Sequence, residues 1–307
     1  MGGNDVAVKM VVVGSVALDT LKTPKGKRER ALGGSAVYFS TVASYFTKVG
    51  LVGVAGKDFH KDHISFLESH GVDLEGFEQT EGKTFFWEGS YGADFGDATT
   101  HATHLNVFEA FDPKLPDAYR DAEFLFLANI HPSLQLKVIE RVNKPRLIAM
   151  DTMNFWITSA LEELKAVLKK VHVLFLNKQE AVQLSGEQKL APAVFKLLEM
   201  GPMRVVVKMG ETGALTATKN SWFFTPAFPC PNIIDPTGAG DSFGGGLMGY
   251  LAQSLDLSEN GFRRGMIYGS AMGSITVEQF SLDSYKNLSR AVIDERYMKI
   301  CEMLRVS

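Results

Sequence analysis

Ile234-Asp235-Pro236-Thr237-Gly238-Ala239-Gly240-Asp241-Ser242-Phe243-Gly244-Gly245-Gly246 is the stretch on which the reading of this chain turns. Asp235-Pro236-Thr237 is turn chemistry: Pro236 presets φ, and Thr237 is placed to cap a helix. Gly238 and Gly240 lack Cβ, so the backbone there can come close to a ligand. Apolar residues at Phe243, Leu247, Met248 and Leu251 predict a helix from Ala239 onward. A glycine turn that opens a helix presents unpaired N–H groups and the positive dipole end, which suits an anion. Asp241 adds a carboxylate in the same turn. An acid beside an anion site has a purpose if it takes a proton from a hydroxyl that attacks a phosphoryl group. From spacing alone, a capped helix whose glycines serve only close packing stands equal to that reading. A dinucleotide fingerprint fails, because G-x-G-x-x-G needs glycine where Phe243 stands, and the stretch lies late in the chain.

Outward from this stretch, composition sets the frame. The chain has 307 residues, 45% hydrophobic and 22% charged, enough for one large α/β domain or two smaller ones. A net charge of -3 gives no electrostatic case for nucleic acid or a membrane surface. Cys230 and Cys301 fit no metal or redox spacing and read as reduced thiols of a cytoplasmic protein. Met1-Gly2-Gly3-Asn4-Asp5 is polar and does not read as a signal peptide. No apolar run approaches the roughly 18–20 residues of a membrane span.

Short apolar runs alternate with helical patterns over most of the chain. Runs at 8–13, 49–55, 124–127, 146–150, 173–176 and 204–208 read as strands, and helices are expected over 36–46, 59–69, 134–142, 159–169 and 190–199. Ser35 is a candidate cap for the first helix. This is the βαβ rhythm of a parallel sheet covered on both faces. A hairpin over 215–225 turns at Lys219-Asn220. Between Val72 and Val107 the pattern changes: Phe85-Phe86-Trp87 and 101–107 read as antiparallel strands, which with 18–30 form a small sheet. Ligands of open parallel sheets bind at the carboxyl ends of strands. Gly14-Ser15, Asn129, Asp151, Asn177 and Gly210 all fall just past predicted strands.

Asp235-Pro236-Thr237-Gly238-Ala239-Gly240-Asp241-Ser242-Phe243 resembles the second signature of the ribokinase-like (PfkB) carbohydrate kinase family, and both family signatures occur in order along nearly the whole chain. The resemblance implies a ribokinase-like three-layer α/β sandwich, one domain over 1–307, with a mostly parallel central sheet and a small β-sheet lid from about 18–31 and 84–108. It implies transfer of the γ-phosphoryl of ATP to a hydroxyl of a small sugar, with Asp241 as general base and the backbone of Gly238, Ala239 and Gly240 as anion hole. Asn177-Lys178-Gln179-Glu180 is similar to the family's Asn-x-x-Glu motif; read alone it is an Asn cap with its box partner, and the resemblance makes Glu180 a ligand of Mg²⁺ through water and Asn177 an ATP contact. Lys208, Gly210, Gly213 and Ser274 fall on the nucleotide side, with Lys208 open to either a phosphate or an ion pair. Asp235 matches a monovalent-cation (K⁺) ligand of some members.

On the acceptor side, Gly33-Gly34-Ser35-Ala36-Val37-Tyr38 resembles the first signature, and Asp19 matches the aspartate that grips two acceptor hydroxyls. Tyr38 is a departure, since many members carry an asparagine nearby; a phenol lacks the amide's paired donor and acceptor. Asn106 and Asn129 complete the expected acceptor set, with His101, His104 and Phe108 near it. A nucleoside acceptor would need an aromatic slot; Phe85, Phe86 and Trp87 are expected to be the lid's own packing, which favours a free sugar over a nucleoside. A non-catalytic sensor of sugar or nucleotide would need neither Asp241 nor Glu180. A homodimer through the lid is expected. Gly82-Lys83-Thr84 is not a P-loop, because Phe77 stands where glycine is required. The pairs His60/His63 and His101/His104 lack the partners of a metal site.

Overall fold

The computed structural model describes residues 7–305; the polar Met1–Asp5 stretch lies outside them. In chain order the elements are β1 (Met10–Val13), β2 (Ala17–Thr23), β3 (Gly26–Gly33), α1 (Ser35–Ala43), β4 (Val49–Gly56), α2 (Lys61–Ser69), β5 (Phe77–Thr80), β6 (Phe85–Ser90), β7 (Thr99–His104), β8 (Phe124–Leu127), α3 (Pro132–Ile139) and β9 (Leu147–Asp151). There follow α4 (Asn154–Ser159), α5 (Leu161–Leu168), β10 (Val173–Asn177), α6 (Lys178–Ser185), α7 (Leu190–Glu199), β11 (Arg204–Lys208), β12 (Ala214–Ala217), β13 (Trp222–Thr225), α8 (Ala239–Ser254), α9 (Glu259–Thr276) and α10 (Arg290–Met303).

The large sheet has nine strands in the order β13-β12-β11-β10-β9-β8-β1-β4-β5. All neighbours from β5 to β11 are parallel; β12 and β13 add an antiparallel edge. Its central strands are apolar at every position because both faces are covered. Successive side chains of β1 go to opposite layers: Met10 and Val12 join the core under α1, α8 and α9, whereas Val11 and Val13 join the core under α3, α5 and α7. The result is the ribokinase-like three-layer α/β sandwich. A second sheet, β3-β2-β6-β7, is built from 17–33 and 85–104, with β2 and β6 parallel.

Several local expectations are corrected. The cap of α8 is Gly238, at φ 75°, with no side-chain cap bond, so Thr237 does not cap it. α1 likewise starts after Gly34 at φ 100°, and the Ser35 hydroxyl bonds the Ser15 hydroxyl (3.0 Å) instead of capping. The helix expected over 159–169 is α5, starting at Leu161, and a separate short helix that the sequence did not suggest, α4, precedes it across a break at Ala160. β5 escaped notice because Phe77-Glu78-Gln79-Thr80 is a half-exposed edge strand with one apolar residue. The strand expected over 101–107 ends at His104 and passes into a single 3₁₀ turn, Asn106–Ala110.

Helix α8 is wedged between α1 and α9. A Cβ on Gly245 would lie 2.7 Å from the Phe39 carbonyl oxygen and 2.9 Å from Val42 Cβ, so α1 sits where only glycine fits. Gly245→Val should therefore cost about 1–3 kcal/mol through overpacking and lower the melting temperature by several degrees. A thermal melt unchanged from wild type would refute this account of the helix contact.

Candidate active site

The carboxyl ends of the parallel strands and the starts of α1, α6 and α8 meet on one side of the large sheet. Gly238 turns the chain into α8, and its positive φ brings the backbone against the ring of Tyr38; a Cβ there would meet Tyr38 carbons at 2.4 Å. The Ala239 N–H donates to the Pro236 carbonyl (3.2 Å) and the Ser242 N–H to the Gly238 carbonyl (2.8 Å). The amides of Gly240 and Asp241 lie between these two, at the positive end of a sixteen-residue helix.

Around this turn stand buried carboxylates. Lys208, at the end of β11, donates from Nζ to Asp151 Oδ2 at the end of β9 (2.5 Å). The same Nζ lies 3.2 Å from where a Cβ of Gly240 would be. Lys208 thus closes an ion pair and also lies beside the glycine turn. Burial, then the charges of Asp151 and Glu180, push the Asp241 carboxyl up to about 7 against the opposing pull of the Lys208 ammonium. Burial is also the main reason the Glu180 carboxyl rises to about 7, with Lys208 opposing and Asp151 adding to the rise. Asn177 and Glu180 form a full capping box: the Glu180 N–H donates to Asn177 Oδ1 (2.8 Å) and the Asn177 N–H to Glu180 Oε2 (2.7 Å).

Across the turn lies a second acidic group. Asp19, on β2, is 6% exposed. A Cβ on Gly33 would collide with its Oδ2, so this glycine makes room for the carboxylate. Burial, then Asp235 and Asp241, push Asp19 up to about 8. The Tyr38 hydroxyl is buried and finds no hydrogen-bond partner among the described residues. Its pKa is raised far above that of a free phenol by burial, then by Asp235 and Asp19. Asp235 is held by two backbone amides, Thr237 N–H to Oδ1 and Ser281 N–H to Oδ2, each 3.0 Å.

Other expected residues have local partners. Asn106 donates to the Thr84 carbonyl (2.9 Å), which ties the 3₁₀ turn to the small sheet. Asn129 accepts from Trp156 Nε1 (2.8 Å). Ser274 donates to the Ala271 carbonyl (2.7 Å) and accepts from Arg296 (3.1 Å). Gly210, at φ 58°, and Gly213, at φ 104°, flank the turn between β11 and β12. His101 is exposed and bonded to Ser90 (2.7 Å); His104 stacks on Phe86, and Phe85 stacks on Phe108 at 5.3 Å between centroids. Sequence reasoning placed Asp151 at a strand end but gave it no role. Its partner is 57 positions away, and the sheet order alone brings them together.

Residues 9–287 match the model of the pfkB family carbohydrate kinases. The cytidine kinase of Thermococcus kodakarensis is 31% identical over 260 residues, covering 81% of this chain and 91% of that protein. Two solved structures share the fold. The Methanocaldococcus jannaschii nucleoside kinase aligns over 95% of this chain and 99% of its own, with a TM-score of 0.76 and 20% identity. The Arabidopsis thaliana ribokinase complexed with ribose and ATP aligns over 98% and 100%, with a TM-score of 0.75 and 20% identity.

The raised carboxyls have a consequence for stability. Asp19, Glu180 and Asp241 each bind a proton more tightly folded than unfolded, where their values are 3.8, 4.5 and 3.8. Their stabilising contribution is complete below the unfolded values and is lost as pH rises through about 7 and 8. The ligand-free protein should therefore melt at a lower temperature as pH rises from about 5 to 8 at constant ionic strength, with the slope levelling off above about 8. Asp19→Asn should flatten that slope; parallel slopes for variant and wild type would show that Asp19 is not a source of it.

Proposed function

We propose that this chain, which belongs to the pfkB family of carbohydrate kinases, phosphorylates a primary hydroxyl of a polyhydroxylated acceptor by using Asp241 as its general base. The observation that carries this is the pairing of Asp241 with the amide-lined start of α8, opposite the buried Asp19 and the unpartnered Tyr38 hydroxyl. Asp19 grips acceptor hydroxyls where Gly33 leaves room for its carboxylate, Gly34 brings the neighbouring backbone close, and Tyr38 offers its hydroxyl. Asn106 and Asn129 belong to the outer part of that site, where each already holds a neighbour in place. Asp241 takes the acceptor's proton as the acceptor oxygen bonds to the γ-phosphorus and the bond to the departing ADP oxygen breaks. The turn Gly238-Ala239-Gly240 stabilises the charge on the transferring group, chiefly through its free amide at Gly240. Asn177, Lys208, Gly210, Gly213 and Ser274 line the nucleotide side.

ATP with Mg²⁺ is the donor this family implies, and the metal screens the charge on the phosphate oxygens. The residues fit such a cation: three carboxylates, of Asp151 and Glu180 (buried) and Asp241 (half-buried), face the single ammonium of Lys208. Mg²⁺ keeps several of its waters, so Glu180 can hold it without a complete protein cage. K⁺ is assigned to the Asp235 turn. Glu180→Gln should raise the Mg²⁺ concentration needed for half-maximal rate, and replacing K⁺ by tetramethylammonium should slow turnover; an unchanged titration in either case removes that assignment.

The acceptor class follows from two observations that pull apart. The cytidine kinase relative supports a nucleoside, which we place first. The stacking of Phe85 on Phe108 supports the free sugar expected from the sequence, since those rings serve the lid's own packing. The outer strands β3 and β7 leave sheet edges suited to a second copy of the chain, so sedimentation should report a dimer. No helix among the described residues is long and apolar enough to cross a membrane, which accords with a cytoplasmic enzyme.

An ADP-release assay over nucleosides, pentoses and hexoses tests the assignment. Turnover of ribose with none of any nucleoside would reverse the order. Asp241→Asn should lower kcat by ~10²–10⁴-fold while ATP still binds, and Asp19→Ala should raise KM for the acceptor far more than for ATP. The wild-type kcat/KM should rise with pH through about 7, where the Asp241 carboxyl loses its proton. Turnover of Asp241→Asn near the wild-type rate would remove this residue from the chemistry.

A further inference from the structure

The loop that joins β6 to β7 carries Tyr91 and Asp97, and both reach beyond the small sheet. The Tyr91 N–H donates to the Lys22 carbonyl (2.9 Å), which continues the pairing of β6 with β2 by one residue. This aims the ring at the start of α8, where its hydroxyl meets the Thr237 hydroxyl at 3.0 Å. Thr237 is the residue before Gly238, and its hydroxyl is not used to cap α8. The Tyr91 hydroxyl lies within the fields of Asp235 and Asp19. Six residues later, Asp97 Oδ2 accepts from Gln179 Nε2 (2.5 Å), between the capping-box partners Asn177 and Glu180.

One loop of the small sheet therefore touches both helix starts on which phosphoryl transfer depends. We propose that Tyr91 is a positioning residue: through Thr237 it holds the Gly238–Asp241 turn in its transfer geometry, and with Asp97 it makes assembly of that turn depend on the seating of the small sheet. The proposal rests on the kinase function given above. The contact is a single bond between two hydroxyls. A phenylalanine at 91 keeps the ring packing and removes only the bond. At 237, serine keeps the bond and valine removes it.

The test is a cycle of Tyr91→Phe, Thr237→Val and the double variant, with Thr237→Ser as rescue. Each single variant should lower kcat about three- to tenfold, the usual range for one hydrogen bond, with KM for the acceptor little changed. The double variant should lose no more than either single one, and Thr237→Ser should keep the wild-type kcat. Hydrogen exchange gives a readout that needs no turnover: amides of 237–241 should exchange faster in Tyr91→Phe, and those of 177–181 faster in Asp97→Ala. Additive losses in the double variant, or unchanged exchange over 237–241, would overturn the proposal. Absence of turnover by the wild type on every acceptor would sink the kinase function instead, and the exchange result would still decide whether Tyr91 holds the turn.

Discussion

A single buried ammonium holds this site together. Lys208 is paired with Asp151 at 2.5 Å and faces Glu180 and Asp241. Burial disfavours its charge, yet the three carboxylates outweigh burial and leave its pKa raised. Removing one member of such a pair leaves an uncompensated charge, which is why breaking buried pairs is strongly destabilising. Here the pair also sets chemistry. Lys208 pulls the Asp241 carboxyl down while Asp151 and Glu180 push it up. The raised Asp241 carboxyl is first a result of burial, and the opposed fields of these neighbours then adjust it.

The architecture explains why these groups meet. Parallel strands end on one side of the sheet, so Asp151 from β9, Asn177 from β10 and Lys208 from β11 stand side by side. Asn177 pairs in register with Lys208 across β10 and β11. Helix α8 then enters over these strand ends, and its close packing against α1 and α9 fixes where its first turn points. Acceptor and nucleotide sides share that turn: Tyr38 and Asp19 approach it from one side, Lys208 from the other.

Much of this was legible in the chain itself. Apolar runs of four or five residues with no alternation revealed strands buried on both faces, and glycine beside Asp241 marked the start of α8. What stayed hidden depends on neighbours distant in sequence. Thr237 has the side chain of a cap, and Gly238 took that place because only a left-handed residue makes the turn against Tyr38. Ser35 lost its cap role to a bond with Ser15 for the same reason. β5 carried too little apolar signal to be seen, and it exists because the exposed edge of β4 accepts it. Asp151 showed its place at a strand end but not its role, and Tyr91 gave no local signal, since their partners lie on other strands and helices.

Asp241 itself argues for catalysis over mere binding. A site that only held an anion would gain from an uncharged residue at this position. A carboxylate in the first turn competes with the anion for the same amides, and burial makes its charge costly. The protein keeps an acid there with a carboxyl near 7. Such a group is half ionised at neutral pH and is well matched to accept a proton from an attacking hydroxyl. The proposed role as general base would put that ionised form to use. Asp19 is a second such acid: burial, then Asp235 and Asp241, raise its carboxyl to about 8, and hydroxyls donating to it, as in the proposed role, would favour its charged form. Burial raises both carboxyls into the range where a proton can be exchanged near neutral pH, which is the property the proposed chemistry would use.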